Sequence, residues 1–417
     1  MRILVMEFTY SGSRRGVHLI RSLLHYGHEV YHLTNVPVTQ KPLRLGLRVR
    51  RTDDEVLVIE VPNPRAYLPW RGLFMRMIIQ TINMLLFTIA VIRKFRVLRD
   101  VDVIIARGMH PFTEPPALLL KKMTGAKLVL DVCDPLIEAF EVVYKDRPFF
   151  RFFRLMGILA RRLIFSIADA IITHTNLMRR VIIGYARYVQ KEVHPIYNPI
   201  DVNMFRPIDK TNVIKELVNL LPVEEIAGKF MVLYSGTMGP CQDLSRVIDA
   251  AKLLPERVVF VLMGAGEEKE MLIERVRKEG LKNVLFWPYV PWHLMPYVIN
   301  LADACLLPLA ADPIYEVALP KKFFEYVACG KPVIAFCPKG EVSHLVEEWR
   351  AGVAVDPDDI EGLAEAVRWL SENRELVAEM GRNARRMAET LFSPERIGRQ
   401  LDRLLREVVS SRDRRAS

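Results

Sequence analysis

The chain has 417 residues, 51% of them hydrophobic and 26% charged, with no low-complexity tract or internal repeat. This excludes a disordered or fibrous protein and predicts two or three folded domains. The net charge of +10 is uneven: residues 1–200 carry 30 Lys and Arg against 16 Asp and Glu, a net +14, and residues 201–417 carry 29 against 33, a net −4. The N-terminal half should therefore meet an anionic partner, a membrane surface or lipid phosphate rather than nucleic acid, because no nucleic-acid motif accompanies the charge. The five cysteines form no Cys-x-x-Cys pair, which argues against a disulfide framework or structural zinc and fits a reducing cytosol.

In chain order, "RILVME" reads as a first strand, "GVHLIRSLLHYG" as an amphipathic helix stopped by Gly27, and "EVYHLT" as the next strand. The alternation returns in "VDVIIAR", "PALLLKKMTG" and "AKLVLDVCD", and again in "ADAIITHT", "LMRRVIIGYA" and "EVHPIYN". Residues 73–92 are apolar but interrupted by Arg76, Gln80, Thr81, Asn83 and Thr88, short of the ~20 apolar residues of a spanning helix. They predict a buried core helix or a membrane-touching one. Residues 147–165 interleave Phe149, Phe150, Phe152 and Phe153 with Arg147, Arg151, Arg154, Arg161 and Arg162. That pattern fits a helix lying in a bilayer interface, or a core helix whose arginines reach water.

The polar stretch 197–209 reads as a linker. After residue 228 apolar strands and amphipathic helices alternate cleanly, from "KFMVLYSG" and "LSRVIDAAKLLP" to "AGVAVDP" and "DIEGLAEAVRWLSEN". Such alternation implies parallel sheets covered on both faces. The fold class is α/β, two Rossmann-like parallel-sheet domains facing across a cleft, with ligands expected beyond the carboxyl ends of the strands. The expected domains are 1–199, with a C-terminal helix at about 394–412 packing back on it, and 200–393.

Within the second domain, "YSGTMG" and "FVLMGAG" are strand-to-helix glycine turns. Gly236, Thr237, Gly239 and Gly264 would let backbone N–H groups and helix dipoles approach a phosphate. "PKKFFEYV" opens a third helix, with Pro320 in its first turn and Lys322 and Glu325 three residues apart on one face. A lysine neutralising a diphosphate and a carboxylate binding ribose hydroxyls is one reading; a solvent-exposed ion pair is the other. Gly330-Lys331 does not make a P-loop, since Pro332 follows and Glu325 stands where the first glycine should.

The run "PKKFFEYVACGKPVIA", together with "YSGTMG", "FVLMGAG", "NVLFWPYV", "ADACLLPL" and "MGRNARRMAETLFSPERIGRQL", resembles the C-terminal domain of glycosyltransferase family 4, of the GT-B fold. The resemblance implies a retaining, metal-independent hexosyltransferase that uses a nucleotide-diphosphate sugar as donor substrate, needs no further cofactor and acts on a lipid-linked or glycan acceptor. It is similar to the branch with a Pro-x-Lys-x-x-Glu variant of the Glu-x7-Glu motif. Glu325 takes the second glutamate's place as the ribose ligand, Lys322 serves the phosphates, and Val317 stands where the first glutamate is expected, with Glu316 one residue out of register. Tyr289 and Val290 would read the base. On the acceptor side the resemblance points to the loop Gly12 to Gly16 with Arg14, and to Asp134 and His110 at strand ends, Asp134 orienting or deprotonating the acceptor hydroxyl. Asp134 could equally cap a helix begun by Pro135. A non-catalytic nucleotide-sugar-binding subunit and a sugar-nucleotide 2-epimerase are the alternatives. The expected location is the cytoplasm or the inner face of the plasma membrane, with residues 147–165 against an anionic surface.

Overall fold

A computed structural model describes residues 1–7, 14–36, 47–64, 73–107, 113–132, 150–186 and 191–410. The chain divides into two compact units, Met1–Tyr197 with Pro394–Ser417, and Asn198–Ser393.

The first unit holds an eight-stranded sheet of β1 (Arg2–Glu7), β2 (Glu29–Asn35), β3 (Arg48–Arg51), β4 (Leu57–Val61), β5 (Val103–Arg107), β6 (Lys127–Val132), β7 (Ala170–Thr173) and β8 (Val193–Pro195). Its order is β3-β4-β2-β1-β5-β6-β7-β8, parallel throughout except for β3 against β4. The helices are α1 (Arg14–His25), α2 (Leu73–Arg93), α3 (Phe95–Leu98), α4 (Glu114–Thr124), α5 (Phe150–Ile167), α6 (Asn176–Ala186) and a C-terminal helix, Pro394–Ser410. Central strands such as "VIIAR" are buried along their whole length, as a sheet covered on both faces requires. The C-terminal helix lies on α1, with Ile397, Leu401 and Leu405 in the core. His28 Nε2 meets Asp402 Oδ1 at 2.8 Å, and the Tyr26 hydroxyl donates to the Glu395 carbonyl at 3.0 Å.

The β3–β4 hairpin is absent from the sequence reading. "RVRR" is exposed at all four positions, so it carries no apolar alternation; the strand is held instead by Arg50 on Glu60 at 2.8 Å, and its charges blunt the sheet edge.

The second unit contains a six-stranded parallel sheet in the order β11-β10-β9-β12-β13-β14. The strands are β9 (Phe230–Thr237), β10 (Val258–Ala265), β11 (Val284–Trp287), β12 (Ala304–Pro308), β13 (Val333–Phe336) and β14 (Gly352–Val355). Around them run α7 (Lys210–Leu217), α8 (Leu244–Lys252), α9 (Lys269–Lys278), α10 (Met295–Leu301), α11 (Lys321–Ala328), α12 (Glu341–Glu348), α13 (Ile360–Glu372) and α14 (Arg374–Leu391); the C-terminal helix of the first unit is α15. Val232, Tyr234, Phe260 and Ile334 from the sheet meet Val247, Leu363 and Val367 from the helices in one apolar core. Arg385 on α14 donates to the carbonyls of Val202, Phe205 and Ala328, tying the start of the unit to the end of α11.

Candidate functional site

Strands β9 and β10 run side by side and end in glycine turns, with Gly236 paired to Gly264. Both have φ near +150°, at 149° and 152°, backbone that other residues rarely adopt. A Cβ on Gly264 would lie 1.8 Å from the Gly236 carbonyl oxygen, and one on Gly236 would lie 2.7 Å from Lys322 Nζ. Glycine at these positions therefore lets two strand ends and a lysine close on one another. Thr237 is exposed at the end of β9 and its carbonyl accepts the Tyr234 hydroxyl. Gly239 lies in the turn beyond, where an added Cβ would come 3.9 Å from Glu267 Oε1 and 4.0 Å from Gln242 Oε1.

Helix α11 delivers the charged pair. Pro320 stands one position before the helix rather than in its first turn, because its ψ of 149° is extended; its carbonyl accepts from Phe323 N at 3.0 Å. The buried Tyr326 hydroxyl accepts from Ser235 N at 2.9 Å, pinning the helix to β9. The half-buried Lys322 sets its ammonium 4.0 Å from the centroid of the Tyr234 ring, against Gly236. Burial pushes its pKa down to about 7, and the neighbouring Glu325 carboxylate opposes that shift only in part. Lys322 is therefore not the solvent-exposed partner of an ordinary surface pair. Its cation is poorly solvated, and an anion at the glycine turns would complete its environment.

Glu325 Oε1 accepts the Trp292 indole N–H at 3.2 Å, and Trp292 packs edge-on against Phe205 with centroids 5.3 Å apart. Trp292 fixes the carboxylate's direction, and the sequence reading missed it. A contact spanning 33 positions leaves no local periodicity, and only the placement of "PWHL" after β11 hinted at it. Lys269 was missed as well; its Nζ donates to the Gly264 carbonyl at 3.0 Å and adds a second cation at these turns. Replacing Trp292 with phenylalanine keeps the aromatic packing and removes the N–H. Affinity for the ligand of this site should then fall about 2- to 13-fold in calorimetric titration, the worth of roughly 0.5–1.5 kcal/mol for one hydrogen bond.

The structure thus brings Lys322 together with Gly236, and Gly236 with Gly264, with Glu325 one turn further along α11. Tyr289 and Val290 follow β11, the first 73% exposed and the second buried. Val317 is buried and Glu316 exposed in the turn Pro313–Val317 before α11. In the first unit, Gly12, His110 and Asp134 lie outside the described residues, and Arg14 is described only as the opening residue of α1. Among the described residues no group of three or more His, Cys, Asp or Glu side chains is placed to hold a metal ion.

At the strand ends of the first unit lies a buried charge network that the sequence reading did not anticipate. Glu7 Oε1 meets His32 Nε2 at 3.1 Å and Glu7 Oε2 meets Arg107 at 2.9 Å, while Arg107 Nε reaches Asp131 at 3.0 Å. Burial alone would raise the Glu7 pKa, but the hydrogen bond from His32 and the Arg107 charge hold it below the ordinary carboxylate value. The α-carbon of Gly16 in α1 lies directly on this carboxylate, since a Cβ there would come 2.3 Å from Glu7 Oε1.

Comparison with known proteins adds independent findings. Residues 222–387 match the family model described as glycosyl transferases group 1. The chain is 30% identical over 175 residues to the putative colanic acid biosynthesis glycosyl transferase WcaI of Escherichia coli, covering 41% of this chain and 42% of that protein. It is 27% identical over 182 residues to the alpha-D-kanosaminyltransferase of Streptomyces kanamyceticus, covering 43% and 46%. The matched stretch thus spans less than half the length of these curated relatives. Among solved structures, sucrose-phosphate synthase from Thermosynechococcus elongatus superposes with a TM-score of 0.76 at 18% identity, covering 98% of this chain and 99% of that one. Anabaena Alr3699/HepE in complex with UDP gives 0.69 at 18% identity, over 98% and 100%. At such identities these likenesses show the fold, and the fold is GT-B.

Proposed function

We propose that the chain, whose residues 222–387 match the glycosyl transferases group 1 model, moves a sugar from a nucleotide-diphosphate donor to a lipid-linked or polysaccharide acceptor in glycan biosynthesis. The observation that carries the reading is the Lys322 ammonium packed against the Gly236 turn, one helical turn from the Trp292-held Glu325 carboxylate. In this reading the diphosphate lies along the turns at Gly236, Thr237, Gly239 and Gly264, neutralised by Lys322 and backbone N–H groups. Glu325 accepts hydrogen bonds from the ribose hydroxyls, and Tyr289 with the Val290 backbone reads the base. As the anomeric carbon–oxygen bond breaks, these cations and dipoles take up the charge developing on the leaving diphosphate, without a bound metal.

The acceptor hydroxyl bonds to the anomeric carbon with retention of configuration and gives up its proton. Asp134, with His110 as the second candidate, is the group proposed to orient or receive it, and Gly12 and Arg14 are proposed to face the acceptor side. Uridine diphosphate is the first nucleotide to try, since the HepE neighbour was solved with UDP and with UDP-glucose. The similarity to the putative colanic acid biosynthesis glycosyl transferase of E. coli supports a glycan acceptor.

The experiment offers radiolabelled sugar nucleotides to the protein with membrane lipid extract as acceptor. Label in the lipid phase supports transfer. Donor binding with neither transfer nor hydrolysis overturns it in favour of a non-catalytic subunit, and inversion at sugar C2 in favour of an epimerase.

A further inference from the structure

Two helices of the first unit present apolar faces to solvent. On α5, Phe152, Leu155, Met156, Leu159 and Leu163 are 48–64% exposed. At 3.6 residues per turn they fall within an arc of roughly 100°. The opposite side of the same helix is the buried one, with Arg161, Ile164 and Phe165 turned inward. On α2, Leu85, Ile89 and Ile92 form a second exposed stripe, opposite Asn83, Phe87 and Ala90, which are buried. From Asn83 to Ile92 this helix is thus buried on one side and exposed on the other.

The topology puts both stripes on one side of the sheet. Helices α2, α4 and α5 make the crossovers β4 to β5, β5 to β6 and β6 to β7, all running in the same direction along the sheet. Right-handed connections place all three on one face, and α2 packs against α4. The crossover of α1 runs the other way, to the face that α15 covers.

Charge selects what covers this side. Neither α2 nor α5 contains an Asp or Glu, and α5 exposes Arg151 at the edge of its stripe and Arg154 further round the helix. A surface helix facing only water ordinarily carries polar or charged residues where these carry Phe, Leu and Ile. A second copy of the chain docked through a two-fold contact would bring like-charged arginines together. Among the described residues no helix is long and apolar enough to cross a membrane.

We infer that α5 and α2 together form a two-helix docking face for an anionic bilayer surface. The apolar stripes enter the headgroup–acyl boundary and Arg151 and Arg154 meet lipid phosphates. This goes beyond the donor-site reading and does not depend on it.

The test is co-sedimentation of the full chain with phosphatidylglycerol vesicles, against phosphatidylcholine vesicles as control. Binding to the anionic vesicles should be at least about tenfold tighter. A Phe152→Ser/Leu159→Ser/Leu163→Ser variant should lose about tenfold or more, and Leu85→Ser/Ile92→Ser several-fold, the second loss being the mark of a two-helix face. Because the substituted side chains are exposed, the fold should persist. Arg151→Glu/Arg154→Glu gives a second readout, abolishing the preference for phosphatidylglycerol. Vesicle binding that ignores both the α5 substitutions and the charge reversal overturns the inference. So does a wild-type protein that binds no vesicles and forms a dimer that the same substitutions dissociate. Absent vesicle binding with intact sugar transfer sinks this inference alone, whereas vesicle binding without nucleotide binding sinks the donor-site reading alone.

Discussion

Alanine at Lys322, or at Glu325, is expected to abolish measurable donor binding in calorimetric titration while leaving the circular dichroism spectrum and the melting transition in place. For Lys322 the loss is a cation from a site already short of solvation, where a charge-assisted bond is worth about 1.5–3 kcal/mol and more when desolvated. The pH profile separates this from a general weakening. In the free protein burial holds the Lys322 pKa down at about 7, so near neutrality about half the molecules carry the uncharged amine. A bound diphosphate favours the ammonium and raises that pKa, so binding takes up a proton. Affinity should be flat below pH 7 and should fall as pH rises above it, with a limiting slope of about tenfold per unit until the pKa of the complex is reached. A Lys322→Arg variant stays charged throughout and should lose this slope. Unchanged affinity in both alanine variants would remove the donor site from α11 and the turns of β9 and β10.

The second large effect is on stability. Glu7→Ala should lower the unfolding free energy of the first unit by about 3 kcal/mol, the lower end of the cost of removing one partner from a buried ion pair. Asp131 remains within 3.0 Å of Arg107 and keeps the loss from being larger. Glu7→Gln retains the size and a hydrogen-bonding oxygen and should cost less. Because the Glu7 pKa is held below its unfolded value of 4.5, its contribution is fully present above that pH and is lost as pH falls through the depressed folded value. The wild-type protein should therefore lose stability in acid more steeply than Glu7→Ala. Urea unfolding at neutral and acidic pH tests both statements; equal stability of wild type and Glu7→Ala at neutral pH would contradict them.

The second unit was largely readable because each strand is a short apolar run and each helix an amphipathic one. The periodicity that specifies burial there is local, as in "RVVFVLMGAG" followed by α9. The hairpin of β3 and β4 was not, because an edge strand made of Arg, Val, Arg and Arg is stabilised by Glu60 across the ladder rather than by a buried face. At the candidate site, the spacing of Lys322 and Glu325 and the glycine turns could be read. What could not be read was whether the lysine is exposed or enclosed, since that depends on Tyr234 and Gly236 from another strand. Trp292 and Glu7 were invisible for the same reason: their partners lie 33 and 100 positions away, at Glu325 and Arg107. Residues 73–92 and 147–165 show the complementary limit. Apolar helices with scattered arginines have one composition whether their second face meets a core or a bilayer, and only the surrounding fold reveals that Leu85 and Phe152 are exposed.

The most direct measurement is a thermal-shift screen of nucleoside diphosphates and their sugars against the wild-type chain and the Lys322→Ala and Glu325→Ala variants, since a ligand that binds only the native state raises apparent stability. The prediction is that at least one nucleoside diphosphate raises the melting temperature of the wild type and fails to raise it in either variant. An equal rise in all three proteins would contradict the assignment of α11 as the donor-nucleotide clamp.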